Sequence, residues 1–132
     1  MAGTFKFELG SPERILMSVD VDQVIVPGAE GQFTVLQGHA PVISTLLPGV
    51  IHVRSAEIKK SIFVRSGFAE VTADQLTILA ERAFIVDEVD PRHLDEELEL
   101  AHRALDSADS DDARLHVTRA IEQLKVLVGG AA

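Results

Sequence analysis

Tight-turn signals divide the first two thirds of the chain into short segments of similar length. The turns are marked by Gly10-Ser11-Pro12, Pro27-Gly28, Gly38, Pro48-Gly49, Ser66-Gly67 and Ala73-Asp74-Gln75. Glycine, proline, serine and aspartate at such positions favour tight connections between neighbouring strands. A spacing of about 8 residues between turns predicts a β-sandwich or flattened barrel.

The segments between the turns have the side-chain pattern of strands. In the first segment, Phe5, Phe7 and Leu9 alternate with Lys6 and Glu8, as in a strand buried on one face. Because the chain has six Phe and neither Trp nor Tyr, valine, isoleucine and leucine must fill most of the core. Ten strands are predicted, at Phe5 to Leu9, Ile15 to Val19, Val24 to Val26, Gln32 to Leu36, Val42 to Leu46, Val50 to Arg54, Ile58 to Arg65, Phe68 to Thr72, Leu76 to Leu79 and Ala83 to Val86.

Charge and hydrophobic period both change between Val86 and Asp90. Residues 1–86 contain 7 Lys and Arg against 9 Asp and Glu, a net charge of −2, whereas residues 87–132 contain 5 against 12, a net charge of −7. The apolar period changes there from two residues to about 3.6. We therefore predict a β-sandwich domain over residues 1–86 and a helical domain over residues 87–132.

The second part of the chain has the signals of two amphipathic helices. Asp90 is a favourable N-cap before Pro91, and Ser110 in the acidic segment 106–112 caps the second helix. Gly129-Gly130 is expected to stop that helix. The pattern predicts an antiparallel two-helix hairpin that packs on the sandwich. Its apolar stripes are Leu94, Leu98, Ala101 and Leu105 in the first helix and Val117, Ala120, Ile121, Leu124 and Val128 in the second.

Composition excludes several classes of function. The absence of cysteine rules out disulfides and thiolate chemistry. A net charge of −9 without a Lys and Arg cluster argues against a nucleic-acid partner. No apolar stretch approaches the about 18 residues of a membrane span, and the N-terminus lacks a signal-peptide pattern. We expect a chain that is not exported and that reaches a membrane only through another protein.

Residues that could carry catalysis or bind a metal are scattered. HxH and HxxxH spacings are absent, so no metal site is predicted for His39, His52, His93, His102 or His116. Glu96, Glu97 and Glu99 are expected on the exposed side of the first helix. A sugar- or peptide-binding sandwich would need exposed aromatic side chains of the Trp and Tyr type. We predict neither enzymatic activity nor a cofactor.

The stretch Pro27 to Pro48, PGAEGQFTVLQGHAPVISTLLP, has the densest turn signals. Its tight loops place Ala29, Glu30, Gln32 and His39 on projecting tips, where partner contacts are usually made. Pro41 biases Ala40 towards extended backbone and so holds His39 in an extended presentation. His39 has a second interpretation, a loop-packing side chain that caps a backbone group.

Four segments resemble, in order, the epsilon subunit of F-type ATP synthases. They are FELGSPER from Phe7 to Arg14, VIVPGAEGQFTVLQGHAPVISTLLPGVI, SGFAEVTADQLTILAERA and the C-terminal helix pair. The resemblance implies a non-catalytic rotor subunit that bridges the gamma subunit and the c-ring and couples proton translocation to ATP synthesis. It also implies a peripheral location on the cytoplasmic face of the bacterial inner membrane, or on the equivalent side of another energy-transducing membrane.

The resemblance also implies which residues contact each partner. The tip formed by Gly28, Ala29, Glu30, Gly31 and Gln32 is expected to face the c-ring. Ser11, Pro12, His39 and Ala40 are expected near the gamma subunit. Gly28 and Gly31 are further expected to adopt backbone conformations that a side chain would strain.

Three positions depart from the family pattern. Gln32 replaces a frequent carboxylate and Thr34 a frequent glycine, so an ionic contact by the tip depends on Glu30. His93 replaces the arginine of ATP-binding members and removes a bidentate phosphate ligand. We therefore expect no ATP sensing. The alternative is a mainly regulatory subunit that senses ATP or inhibits hydrolysis through C-terminal helices in contact with the alpha and beta subunits.

Overall fold

The computed structural model describes residues 3–130 and contains ten strands in two stacked sheets. The observed strand ends lie within two residues of the predicted ones, and the predicted ten-stranded β-sandwich is confirmed. The strands are β1 (Phe5–Gly10), β2 (Ile15–Val21), β3 (Gln23–Gly28), β4 (Gly31–Val35), β5 (Val42–Thr45), β6 (Gly49–Arg54), β7 (Lys59–Val64), β8 (Gly67–Val71), β9 (Gln75–Ala80) and β10 (Ala83–Ile85).

The two sheets have five strands each. We call the sheet with the order β2-β1-β9-β8-β5 the first sheet and the sheet with the order β10-β7-β6-β3-β4 the second sheet. β1 and β9 pair in parallel, and the other described pairs are antiparallel. β4 and β5 are edge strands on the same side of the sandwich, because a bridge between Gly28 and Leu46 joins the two sheets there.

The sandwich has a core of its own. All of the buried residues in this cluster lie between Phe5 and Ala80, and thirteen of the seventeen are valine, isoleucine or leucine, as predicted. Phe7, Leu9 and Ile51 are among its fully buried members. Complete burial of a side chain of this size stabilises the fold by about 1.5–3 kcal/mol. The inner faces of the two sheets therefore hold together without side chains from the helices.

Two helices follow the strands, α1 (Pro91–Ser107) and α2 (Asp111–Gly130), after a 3-10 turn at Val86–Glu88. Both predicted N-caps are present. Asp90 Oδ1 accepts a hydrogen bond from His93 N at 2.9 Å, and Ser110 Oγ accepts one from Ala113 N at 3.0 Å. Because only three residues connect α1 to α2, the helices run antiparallel, as predicted.

The hairpin packs on the outer face of the second sheet and forms a second core there. The sandwich contributes Phe63 from β7 and Phe84 from β10, whose rings stack with centroids 5.2 Å apart. Buried helical side chains complete this core, namely Leu94, Ala101, Val117, Ala120, Ile121 and Leu124. Phe63 and Phe84 are therefore the buried apolar side chains of the sandwich on which the hairpin rests.

The expected exposure of the acidic residues in α1 is wrong for one of them. Glu96 and Glu99 are exposed, whereas Glu97 is only 5 % exposed. Glu97 lies three residues after Leu94 and four before Ala101, so it shares the face of α1 that is turned towards the sandwich. Burial of its carboxylate is possible because Arg82, in the β9–β10 turn, pairs with it.

The predicted end of α2 before Gly129 is also wrong, because the helix includes both Gly129 and Gly130. A glycine ends a helix where it takes up a left-handed conformation. Among the described glycines only Gly31, Gly38 and Gly67 have positive φ angles. Gly129 keeps right-handed backbone, so nothing in its conformation terminates the helix.

Candidate partner-binding surface

The hairpin of β3 and β4 ends in a tip that projects from the sandwich. Gly28 pairs with Gly31 across the hairpin, which leaves Ala29 and Glu30 as the turn. Residues 29–32 are exposed, as the sequence predicts. Two hydrogen bonds tie the base of the tip to the end of β5 and the residues that follow it: Ala29 N donates to Thr45 O at 2.9 Å, and Leu47 N donates to Pro27 O at 2.8 Å. The tip is therefore held in one orientation.

The two glycines of the tip are required for different reasons. Gly31 has a φ of +129°, a conformation that other residues rarely adopt, so the expected strain is confirmed at this position. Gly28 does not have positive φ, and the expectation of backbone strain is wrong there. Its constraint is space, because a Cβ atom would lie 2.8 Å from the ring of Phe33.

A groove of about 780 Å³ runs between the edge strands β4 and β5. One end is formed by the tip residues Ala29 to Gln32, and the other by His39 and Ala40. Val42 and Ile43 lie along β5 and are 39 % and 71 % exposed. The fold therefore brings most of the predicted c-ring set and half of the predicted gamma set to one concave surface, which we call the edge groove.

His39 is half-buried at the far end of the edge groove. Its Nδ1 lies 2.7 Å from Ala40 O, and its ring centroid lies 6.3 Å from that of Phe33. The backbone N of His39 donates to Leu36 O at 3.1 Å. These contacts support the loop-packing interpretation, while Ala40 and Pro41 beside it remain exposed.

Ser11 and Pro12 lie in the turn between β1 and β2, away from the edge groove. Ser11 N donates to Arg14 O at 2.8 Å, and Pro12 is exposed. Three strand spacings, about 14 Å, separate β1 from β5 in the first sheet. Both the turn and the tip lie at the same end of the sandwich, because pairings connect Gly10 to Leu79, Ala80 to Gly67, Gly67 to Leu46 and Leu46 to Gly28.

An exposed apolar row crosses the outer face of the first sheet between these two places. Ile15, Leu79, Phe68 and Ile43 are 63 %, 43 %, 42 % and 71 % exposed. Gly10 pairs with both Ile15 and Leu79, and Leu79 pairs with Phe68, so these three side chains are neighbours across the strands. Ile43 pairs with Glu70 and therefore lies diagonally across from Phe68 on the same face. This row was not predicted from the sequence. Its signal was the consecutive apolar residues Ile78 and Leu79, which must point to opposite faces of a strand.

His52 and His116 each contact one polar group of the protein. His52 Nδ1 lies 3.3 Å from Ser61 Oγ, and His116 Nε2 lies 3.1 Å from Arg65 O. Within residues 3–130, His, Cys, Asp and Glu side chains form no group of three or more that could hold a metal ion. In the same part of the chain, neither helix combines the length and the apolarity needed to cross a bilayer.

One ion pair joins the helical hairpin to the sandwich. Arg82 Nε donates to Glu97 Oε2 at 3.0 Å, and its Nη2 donates to Glu97 Oε1. The hydrogen bond to Glu97 raises the pKa of Arg82, so its guanidinium stays charged at any ordinary pH. His93 Nε2 lies 3.7 Å from Glu97 Oε1, and its ring packs edge-on against Phe84 with centroids 5.0 Å apart. His93 is therefore engaged in the contact between α1 and the sandwich.

Comparison with known proteins identifies the family. Residues 4–86 match the model of the beta-sandwich domain of the ATP synthase Delta/Epsilon chain. The ATP synthase epsilon chain of Brucella anthropi is 44 % identical over 130 residues, which cover 98 % of this chain and 96 % of that protein.

Two solved structures share the fold. A chain in the Euglena gracilis mitochondrial ATP synthase, solved with OSCP, F1 and the c-ring, aligns with a TM-score of 0.70 at 23 % identity and covers 98 % of this chain and 82 % of that one. A chain in the central stalk and c-ring structure of the Tetrahymena thermophila mitochondrial ATP synthase aligns with a TM-score of 0.66 at 12 % identity. The alignment covers 99 % of this chain and 98 % of that one. The sequence matches and the common fold agree: this chain belongs to the ATP synthase epsilon chain family.

Proposed function

We propose that this chain is a non-catalytic subunit of the central stalk of a proton-translocating ATP synthase, where it bridges the gamma subunit and the c-ring. In this role it couples proton translocation through the c-ring to ATP synthesis in the catalytic head. The observation that carries the proposal is the arrangement at one end of the sandwich, where a fixed polar tip projects beside an exposed apolar row. The two surfaces suit two different partners.

The proposed contact with the c-ring is the tip from Gly28 to Gln32. Its backbone is already held by hydrogen bonds to the segment around Thr45, so little conformational entropy is lost on docking. Glu30 supplies the one charged group of the tip, and Gln32 adds a neutral polar group. The small neighbours Ala29 and Gly31 let polar loops of another protein approach closely.

The proposed contact with the gamma subunit is the apolar row together with the far end of the edge groove, at His39 and Ala40. Contiguous exposed apolar side chains with polar neighbours are typical of protein interfaces, and their burial contributes about 25 cal/mol per Å². The Ser11 turn lies beside Ile15 at one end of the row, and Ala40 lies beyond Ile43 at the other. One surface of gamma can therefore contact Ser11, Pro12, His39 and Ala40 together.

The proposal also gives a location and a role to the hairpin. The chain is expected to be peripheral, at the cytoplasmic face of a bacterial inner membrane or the equivalent side of another energy-transducing membrane. We expect the hairpin to stay docked and not to sense ATP. What supports this is the position of His93, which packs on Phe84 and faces Glu97 where a phosphate ligand would be needed.

A capture experiment tests the gamma contact. The tagged full-length chain is added to solubilised membranes, and bound gamma, alpha, beta and c subunits are measured. The variant Phe68→Glu with Leu79→Glu places two charges in the apolar row and should lose most of the captured gamma. The control Leu115→Glu with Val126→Glu changes two apolar helical side chains that are more exposed, at 60 % and 68 %, and should capture as much as the unmodified chain. Full capture by the row variant would refute the assignment of gamma to this face.

A further inference from the structure

The outer face of the second sheet is only partly covered by the hairpin. The second core lies over Phe63 and Phe84, on the side of β7 and β10, and leaves the outward residues of β3 and β6 open. Two grooves follow this open strip. One of about 440 Å³ lies beside α2, and one of about 130 Å³ lies towards the β6–β7 turn. His52 lines both grooves, so they adjoin at this residue and together mark a path along the strip.

Strand register and the position of α2 collect cations along this path. Arg54 pairs with Lys59 across β6 and β7, and His52 pairs with Ser61 in the same ladder. Lys60 lines the smaller groove, and Arg119 of α2 lines the larger one. We call the strip lined by His52, Arg54, Lys59, Lys60 and Arg119 the cationic channel. Four of its members lie within residues 52–60 of the β6–β7 hairpin, and the fold adds Arg119 from α2.

The charge of the cationic channel is opposite to that of the rest of the chain. Four Lys and Arg residues line the two grooves together with one carboxylate, Glu122, in a chain of net charge −9. Within residues 3–130, the ion pairs involve other cations, namely Lys6, Arg82, His93, Arg103 and Arg114. The cations of the channel are therefore available to carboxylates of another molecule.

We propose that the cationic channel binds an acidic segment of a partner protein. The channel follows β3 from Gln23 to Gly28, a length of about 17 Å, which accommodates about five extended residues or three helical turns. A polyanion longer than the channel, such as a nucleic acid, would reach the acidic remainder of the surface within a Debye length of about 8 Å and be repelled. A short carboxylate-bearing segment confines its charge to the cations.

Peptide binding to the full-length chain tests this proposal. The probe is a fluorescent peptide of about five glutamates, which spans the channel when extended, and a glutamine peptide of the same length is the control. We expect saturable binding of the glutamate peptide that weakens as salt is added, and no binding of the glutamine peptide. NMR spectra of the isotopically labelled chain should show that peptide binding changes the chemical shifts only of β3, β6, β7 and the residues around Arg119. This footprint needs no variant and so does not depend on how a substituted chain folds.

Two matched triple variants locate the site. Arg54→Gln, Lys59→Gln and Lys60→Gln together should lower affinity about tenfold, the sum of three exposed charge contacts. Arg14→Gln, Arg92→Gln and Arg103→Gln together remove the same charge from exposed positions elsewhere and should lower affinity by less than about threefold. An equal loss in both variants, or a footprint outside the channel, would overturn the proposal. Binding of inorganic phosphate, duplex DNA or phosphatidylglycerol vesicles in place of the glutamate peptide would overturn it as well.

Discussion

Single residues at the tip show how local backbone geometry prepares a contact surface. Gly31 supplies a positive φ that returns the chain into β4, and Gly28 leaves room for the ring of Phe33 beneath the turn. Ala29 and Glu30 can therefore occupy a turn of two residues without disturbing the core under it. The glycines set the shape of the tip, and Glu30 with Gln32 sets its polarity.

The geometry of Gly31 leads to a stability prediction. Gly31→Ala should destabilise the fold by about 1 kcal/mol, because a Cβ atom is strained at positive φ even though no atom lies within 4 Å of it. Gly129→Ala is the matched control, since its Cβ also meets nothing within 4 Å but the residue lies in a right-handed helix. Alanine should be neutral or stabilising there, by up to about 1 kcal/mol. Urea unfolding of both variants measures the difference, and equal stabilities would contradict the role given to φ.

Local signals account for the residues that sequence analysis placed correctly. Asp90 and Ser110 were predictable as N-caps because a cap bonds to backbone within three residues. The burial of Glu97 was not predictable from α1 alone. Its environment depends on Arg82, fifteen positions earlier in a turn of the sandwich, and that contact exists only in the folded chain.

Among the elements, α1 and the β9–β10 turn are joined most specifically. Glu97 is 5 % exposed and its carboxylate faces the guanidinium of Arg82, whose side chain is 41 % exposed. The remaining support of the hairpin is apolar packing on Phe63 and Phe84 and the contact of His116 with Arg65 O. The ion pair thus selects the position at which the hairpin rests on a largely non-directional apolar surface.

Removal of the Arg82 guanidinium tests whether the ion pair with Glu97 positions the hairpin. Arg82→Met should destabilise the docked hairpin by about 1–2 kcal/mol, because it leaves the Glu97 carboxylate desolvated and unpaired. Faster amide hydrogen exchange is expected in residues 91–130, with little change in β1 to β9. Since the pKa of Arg82 is raised, its stabilising contribution is present below the unfolded pKa and is lost only as pH rises through the folded pKa, far above neutral pH.

An exposed ion pair in the same helix provides the control. Arg103→Met removes the ion pair between Arg103 and Glu99. The side chains of these two residues are 70 % and 64 % exposed, respectively. Exposed pairs of this kind contribute about 0.3–0.5 kcal/mol, so exchange in the hairpin should hardly change. If the two variants loosened the hairpin equally, the special role of Arg82 and Glu97 would be wrong.

The whole molecule consists of two cores, one inside the sandwich and one between the hairpin and the second sheet. Turn spacing predicted all ten strands because turns are local signals. It did not predict strand partners, such as the parallel pairing of β1 with β9, because that pairing connects residues about seventy positions apart. The tip was predictable because its residues are adjacent in the sequence. The apolar row and the cationic channel were not, because each is assembled from several elements.

Cross-linking from single introduced cysteines tests the proposed bridge most directly, because the natural chain has no cysteine. Ala29→Cys lies on the tip, Ala40→Cys at the far end of the edge groove, and Ala56→Cys in the exposed turn between β6 and β7 of the second sheet, outside both proposed contact surfaces. In assembled membranes, we expect position 29 to cross-link to the c subunit, position 40 to the gamma subunit, and position 56 to neither. Cross-links to c from position 56, or none to c and gamma from positions 29 and 40, would contradict the proposal that the tip binds the c-ring while the apolar row and the far end of the edge groove bind gamma.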